Sequence, residues 1–144
     1  PVMDTDLIIK HWRDVPLVVI APPDHPLTRQ SVVLGDVAQY PYIRREPGSG
    51  TQNIVEQVFK EQGLELKIAL ELGSNEAVKQ AVMAGLGISV VSEATIQLER
   101  RMGVLDSVDV NDFVVSRHLS RLTLRDRPGS RALDTFCAFV EKFQ

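Results

Sequence analysis

Between residues 42 and 102 the hydrophobic pattern switches repeatedly from a period of two to a period near 3.6, and this alternation limits the folds open to the chain. Tyr42-Ile43-Arg44-Arg45 reads as a short strand. Ile54, Val55, Val58 and Phe59 then recur at helical spacing, which predicts a helix over 49–62 stopped by Gly63. Leu66, Ile68, Leu70 and Leu72 alternate with Lys67, Ala69 and Glu71, the signature of a strand. A second helix is expected from Ser74, with Ala77, Val78, Ala81 and Val82 on one stripe and Gly85 at its end. Gly87-Ile88-Ser89-Val90-Val91 follows as a buried strand, Glu93 to Met102 as a third helix stopped by Gly103, and 104–110 as a short extended stretch. Strands alternating with helices imply βαβ units, right-handed crossovers and a parallel sheet, so the expected class is α/β.

Two loops in this segment carry the candidate chemistry. Arg45-Glu46-Pro47-Gly48-Ser49-Gly50-Thr51 leaves the first strand and opens the first helix, and Glu71-Leu72-Gly73-Ser74-Asn75-Glu76 does the same for the second. The first turn of a helix has up to four N–H groups without an intrahelical partner and a partial positive charge, so it readily holds a carboxylate or phosphate. Ser49 with Gln52 three residues later also fits a capping box, and ordinary capping explains either loop taken alone. Ligand sites in such sheets lie beyond the carboxyl ends of the strands, where both helix starts emerge, and this favours a receptor for a small polar ligand. Arg45 could add charge to the site or pair with Glu46 or Glu71. Glu76 would oppose an anion and is left out of the ligand contacts.

The flanks form a second set of elements. Leu17-Val18-Val19-Ile20-Ala21 is an apolar run ended by Pro22-Pro23, which predicts a buried strand followed by a turn through Pro26. Residues 28–40 look irregular or briefly helical. Leu119 to Leu124 reads as another strand, and after Pro128-Gly129 a last helix carries Leu133, Phe136, Cys137 and Val140 on one stripe. So few elements cannot cover both faces of a sheet. We therefore expect a first lobe formed by 1–41 and 111–144, incomplete because a segment precedes Pro1, with 42–110 inserted as a second lobe. Chain crossings are expected near Tyr40–Ile43 and Val110–Val115, where they would make a hinge.

Composition narrows the function classes. The 144 residues carry a net charge of −3, which offers no electrostatic footprint for nucleic acid. Arg117, His118, Arg121, Arg125, Arg127 and Arg131 cluster, but Asp126 and apolar residues interrupt them, as on a solvated face. No apolar run reaches the length of a membrane span, and no basic-then-apolar leader opens the sequence. Cys137 is the one cysteine and falls on the apolar stripe of the last helix, where burial is expected. These features favour the cytoplasm. His11, His25 and His118 are scattered, without metal-ligand spacing or a nucleophile elbow. Gly48-Ser49-Gly50 lacks the length and Lys of a phosphate-binding P-loop, and Gly85-Leu86-Gly87 has the reverse of the dinucleotide order. Neither catalysis, a cofactor nor a metal is expected.

Taken in order, several segments resemble the effector-binding domain of LysR-type transcriptional regulators. They are Val18-Val19-Ile20-Ala21-Pro22-Pro23-Asp24-His25-Pro26-Leu27, the loop 45–51, the stretch from Glu71 to Val82, and Ala84-Gly85-Leu86-Gly87-Ile88-Ser89-Val90. The similarity runs from about Asp6 to the C-terminus and is strongest toward the branch of Calvin-cycle and sulfur-assimilation regulators. The resemblance implies a two-lobed fold like the type 2 periplasmic binding proteins, with one lobe inserted in the other. It implies an anionic metabolite as inducer in the interlobe cleft, a shift of the hinge on binding, and homodimers or homotetramers of the whole regulator. DNA would be contacted only through an N-terminal helix-turn-helix absent from these residues. Carried onto matching positions, the inducer-facing residues are Gly48, Ser49, Gly50 and Thr51 at the first helix start and Ser74 and Asn75 at the second. A solute-binding protein of a transporter would share this fold and is the alternative reading; an upstream leader would distinguish it from a regulator.

Overall fold

The computed structural model describes residues 6–126 and 129–143, so Arg127 and Pro128 lie outside the described residues. The chain falls into two compact units, Pro16–Arg117 and a second made of Pro1–Val15 with His118–Gln144. Two long strands, β1 (Leu7–Ala21) and β6 (Ser116–Leu124), are shared between them.

In the 16–117 unit the elements after β1 run α1 (Leu34–Val37), β2 (Pro41–Arg45), α2 (Gly50–Glu61), β3 (Lys67–Leu72), α3 (Asn75–Met83), β4 (Ser89–Ser92), α4 (Gln97–Met102) and β5 (Asp106–Val108). The expected βαβ units are present: β2 and β3 pair in parallel, with Arg45 opposite Leu72 at the carboxyl ends. On the other edge of β2, Ile88 bonds in parallel through Ile43 N to Ile88 O (2.8 Å) and Ile88 N to Pro41 O (2.9 Å). A second sheet is antiparallel here: the C-terminal half of β1 lies between β4 and β5, and the bridge at Tyr42 and Ile88 links it to the β2–β3 pair.

Alternate residues of these strands enter two separate apolar layers. Leu17, Val19, Tyr42, Ile88 and Val90 join Val55 and Phe59 of α2 on one face. Ile20, Ile43 and Val91 meet Val78, Ala81 and Val82 of α3 and Ile96 on the other. Burial on both faces is why β1 and β4 read as continuous apolar runs rather than as alternation.

This packing runs across the expected lobe boundaries. Residues 16–41 and 111–117, expected to belong with the first lobe, share the sheet and core of the 42–110 segment: Leu17, Leu27, Val32, Leu34 and Phe113 all enter the layer under α2. The unit divides at Val15/Pro16 and Arg117/His118, not at 41/42 and 110/111. Strand β3 departs in another way. Ile68 and Leu70 sit at the predicted alternate positions but remain 42% and 37% exposed, because β3 pairs on one side only.

The expected third helix is broken into a 3-10 turn at Glu93–Thr95 and α4, with the fully buried Ile96 at the junction. Lys79 joins these elements to α3. It lies on the packed face of α3, where its Nζ meets Glu99 Oε1 at 2.5 Å and Glu76 Oε2 at 2.9 Å, and donates to Thr95 O. Its side chain is 10% exposed and that of Glu99 13%, so water screens the pair poorly.

The other unit contains the N-terminal half of β1, most of β6, and α5 (Arg131–Val140). Leu133, Cys137 and Val140 on α5 are half-buried, whereas Phe136 and Phe139 are 61% and 57% exposed. Full burial of Cys137 is thus not observed: α5 has no completely covered position among the described residues.

Gly87 sits where β2 and the start of β4 approach most closely, and a Cβ there would lie 2.5 Å from Pro41 O. Gly87→Ala should cost about 1–3 kcal/mol in urea unfolding, since the obstructing atom is backbone. The Lys79–Glu99 pair gives a pH prediction. Hydrogen bonding from Lys79 holds the Glu99 carboxyl below its ordinary range. The stabilisation is complete above the unfolded Glu pKa of about 4.3 and is lost as pH falls through the lower folded value. Between pH 7 and pH 3.5 the wild-type urea midpoint should fall more than that of Glu99→Gln, which should itself be destabilised by about 1–3 kcal/mol at neutral pH.

Candidate functional site

The register of β2 and β3 brings the two helix starts together, since Arg45 and Leu72 are paired neighbours and the loops leave from them. Each helix begins as its sequence specifies. Ser49 has extended backbone angles and its Oγ accepts from Gln52 N, while Ser74 Oγ accepts from Ala77 N. Gly48 precedes the first cap at φ +94°, a conformation that side chains rarely adopt. The first two amides of α2, those of Gly50 and Thr51, have no acceptor within the helix by its geometry.

Only half of the expected capping box forms. Gln52 is 4% exposed and does not turn back to the amide of Ser49, which bonds Glu46 O instead. Its Oε1 accepts from Arg45 N at 3.4 Å and from Tyr42 Oη at 3.5 Å, and its amide nitrogen donates to Glu56. A buried carboxamide takes the acceptors and donors around it, and here these belong to the end of β2. Burial also pushes the Tyr42 phenol well above its usual pKa, so it remains a neutral donor.

The two arginines of β2 diverge. Arg44 pairs with Glu71 of β3, with Nε at 2.7 Å from Oε2. Arg45 takes Glu46 in a fork, Nε to Oε2 at 2.7 Å and Nη2 to Oε1 at 2.8 Å. The remaining Arg45 nitrogen, Nη1, donates to Asn75 Oδ1 and so ties the first loop to the start of α3. Arg45 holds the Glu46 carboxyl below its usual range, and the same bond raises Arg45. Glu71, weighed as a partner for Arg45, belongs to Arg44.

In sequence, Arg117 is one of a cluster of cations with nothing local to distinguish it. Its guanidinium comes to the start of α2, where a Cβ on Gly50 would lie 3.5 Å from Arg117 Nη2. Sixty-seven positions separate the two, and no local pattern could have joined them; the nearest sequence signal was a cation at the end of the segment that completes the unit. Elsewhere in the cluster, Arg121 Nη1 binds Glu141 Oε1 at 3.0 Å within the other unit.

Of the six expected contacts, Gly48, Ser49 and Gly50 lie at the surface or half-buried, Thr51 is 9% exposed, Ser74 is exposed and Asn75 half-buried. The α2 start brings together amide donors, the hydroxyls of Ser49 and Thr51 and the Arg117 guanidinium, and the register of β2 and β3 sets the α3 start with Ser74 beside it. Such a set can hold an oxyanion by charge-assisted hydrogen bonds. A separate cavity of about 360 Å³, lined by Leu17, Val19, Phe113 and Val115 among others, includes neither helix start.

The α/β fold is of the two-lobed periplasmic-binding-protein-like type, as in the effector-binding domains it is similar to. The chain belongs to the LysR substrate binding domain family, which matches residues 1–144. It is 40% identical over 141 residues to the RuBisCO operon transcriptional regulator of Allochromatium vinosum, covering 97% of this chain and 47% of that protein. It is 38% identical over 141 residues to the transcriptional activator CmpR of Synechocystis, covering 97% and 46%. The regulatory domain of CcmR from Synechocystis PCC6803, solved in complex with 2-PG, matches with a TM-score of 0.88 at 35% identity, covering 99% of this chain and 69% of that one. The chain spans about half the length of the curated relatives it matches. Those relatives are transcriptional regulators. No helix among the described residues is long and apolar enough to cross a membrane.

The two caps differ in quality: Ala77 N to Ser74 Oγ is 3.1 Å, and Gln52 N to Ser49 Oγ is 3.5 Å. Ser74→Ala should therefore cost about 1 kcal/mol in urea unfolding and Ser49→Ala clearly less. Equal costs would mean that Ser49 caps α2 as firmly as Ser74 caps α3.

Proposed function

We propose that this chain is the inducer-sensing part of a LysR-type transcriptional regulator, and that it binds a small anionic metabolite at the paired starts of α2 and α3. The observation that carries this reading is the convergence of Arg117 on Gly50, beside the two unshared amides of the α2 start. Capping alone needs no guanidinium there. Gly48, Ser49, Gly50 and Thr51 would cradle the oxyanion, with Ser74 and Asn75 reaching other oxygens of the ligand. The relative CcmR supports this, because its regulatory domain is solved in complex with 2-PG, an anionic compound.

Arg45 acts as a positioning residue. Its bonds to Glu46 and Asn75 hold the two loops in register, and they neutralise Glu46 close to the site. The ligand acts on the whole regulator by favouring one hinge angle over another, and can do so only by its differential affinity for the two states. Residues 16–117 would be the inserted lobe of that regulator. DNA contacts, and the homodimer or homotetramer that presents them, belong to the whole protein. The sensor role involves no chemical step at this site.

The test is thermal unfolding against phosphorylated metabolites, di- and tricarboxylates and sulfate. A ligand at 100 times its Kd should stabilise by about 2.7 kcal/mol. Each charge-assisted hydrogen bond sheltered from water contributes roughly 1.5–3 kcal/mol, so Arg117→Ala should weaken binding about tenfold or more. Ser49→Ala with Thr51→Ala should also weaken it while leaving the fold largely intact. Undiminished affinity in these variants would remove the α2 start from the site.

A further inference from the structure

His11, Asp14 and His118 form a cluster in the unit made of Pro1–Val15 and His118–Gln144, with His118 next in sequence to Arg117. His11 Nε2 lies 2.8 Å from Asp14 Oδ1, and His118 Nδ1 lies 2.5 Å from the same oxygen. The two imidazole rings meet edge to face with centroids 6.0 Å apart. One ligand atom from each residue can be chosen so that all three lie within 4.8 Å of one another. His11 and Asp14 are on β1 and His118 is on β6, so strand pairing assembles the group from positions 104 residues apart.

From this geometry we propose that His11, Asp14 and His118 form a binding site for a divalent transition-metal ion such as Zn²⁺. Two imidazole nitrogens and one carboxylate are a donor set suited to zinc and its neighbours, and soft enough to discriminate against Mg²⁺ and Ca²⁺. With metal–ligand bonds of about 2.0–2.2 Å, donor atoms around a tetrahedral ion stand roughly 3.3 Å apart. Both histidine–carboxylate separations are shorter than that figure, and all three side chains are at least half exposed, so a small rotation of each opens room for the ion. Hydrogen bonding from His118 and then His11 holds the Asp14 carboxyl below its ordinary range, which keeps it anionic as a ligand must be. Three protein ligands leave a fourth position for water. Bound there, the ion would tie β1 to β6 beside the points where both strands pass into the 16–117 unit, at Val15/Pro16 and Arg117/His118.

The alternative is a surface hydrogen-bonded trio with no affinity for metal. Titration of the metal-free chain with Zn²⁺ against a chromophoric chelator separates the two. One ion per chain should bind, and His11→Ala and His118→Ala should each weaken binding roughly tenfold or more. Co²⁺ should give the intense visible absorption of a four-coordinate site in the wild type and lose it in both variants. Exposure of these side chains means the variants should keep the unfolding midpoint of the metal-free wild type, which is the control for folding. Mg²⁺ at the same concentration should neither bind nor compete. Zinc affinity unchanged in either histidine variant, no zinc binding by the wild type, or a Co²⁺ spectrum typical of the hydrated ion would overturn the proposal. None of these readouts needs an anion bound at the start of α2.

Discussion

The parallel pairing of β2 with β3 is the interaction on which the arrangement of the 16–117 unit depends. With Arg45 opposite Leu72, both chains leave the sheet at the same level and both turn directly into helices. A slip by one residue would reverse the faces of Tyr42 and Ile43, which enter opposite apolar layers under α2 and α3. The register therefore fixes the core and the pair of helix starts together. The close approach at Gly87 completes this arrangement, by letting Ile88 bond to Pro41 and Ile43 on the other edge of β2.

Charge placement follows from the same pairing. Arg44 and Arg45 are adjacent in sequence, yet alternation along the strand sends them to different partners. Arg44 reaches across to Glu71 on the neighbouring strand, and Arg45 bridges Glu46 and Asn75 at the strand end. An Arg45 satisfied in this way braces the loops, and this leaves Arg117 as the cation brought to the opening of α2. On the far side of the sheet, Lys79 and Glu99 join α3 to α4 where an apolar pair would have given no directional constraint. Burying two charges is costly, and Glu76 and Thr95 offset part of that cost by adding further contacts to the ammonium.

The sequence made the βαβ segment legible because its signals are local. Apolar stripes at 3.6 spacing, serine caps and stopping glycines lie within a few residues of each other, and α2 and α3 begin one residue after Ser49 and Ser74. The stretch 7–15 gave no such signal. It is strand, but polar and half-exposed residues such as Lys10, His11 and Arg13 break the pattern that revealed 17–21. Lys79 was hidden because a lysine on an apolar stripe is indistinguishable from a solvated one until its partner on α4 is known. The packing of 16–41 with the central segment was hidden for a related reason: antiparallel pairing of β1 with β4 and β5 joins residues about 70 to 90 positions apart, and period and punctuation do not report on it.

What the sequence by itself determined is the set of elements between 41 and 92, their α/β class, the family, and the two loops at which helices open beyond strands. These rest on interactions spanning a handful of residues: alternation, helical stripes, caps and turns. Only the tertiary structure decided that 16–41 pack with the central segment, that Gln52 leaves its capping role for the interior, that Arg117 stands at Gly50, and that His11 and His118 meet at Asp14. Each of these joins groups whose attraction acts at a few ångströms, and the chain brings them that close only when strands distant in sequence pair and a shared core fixes their register.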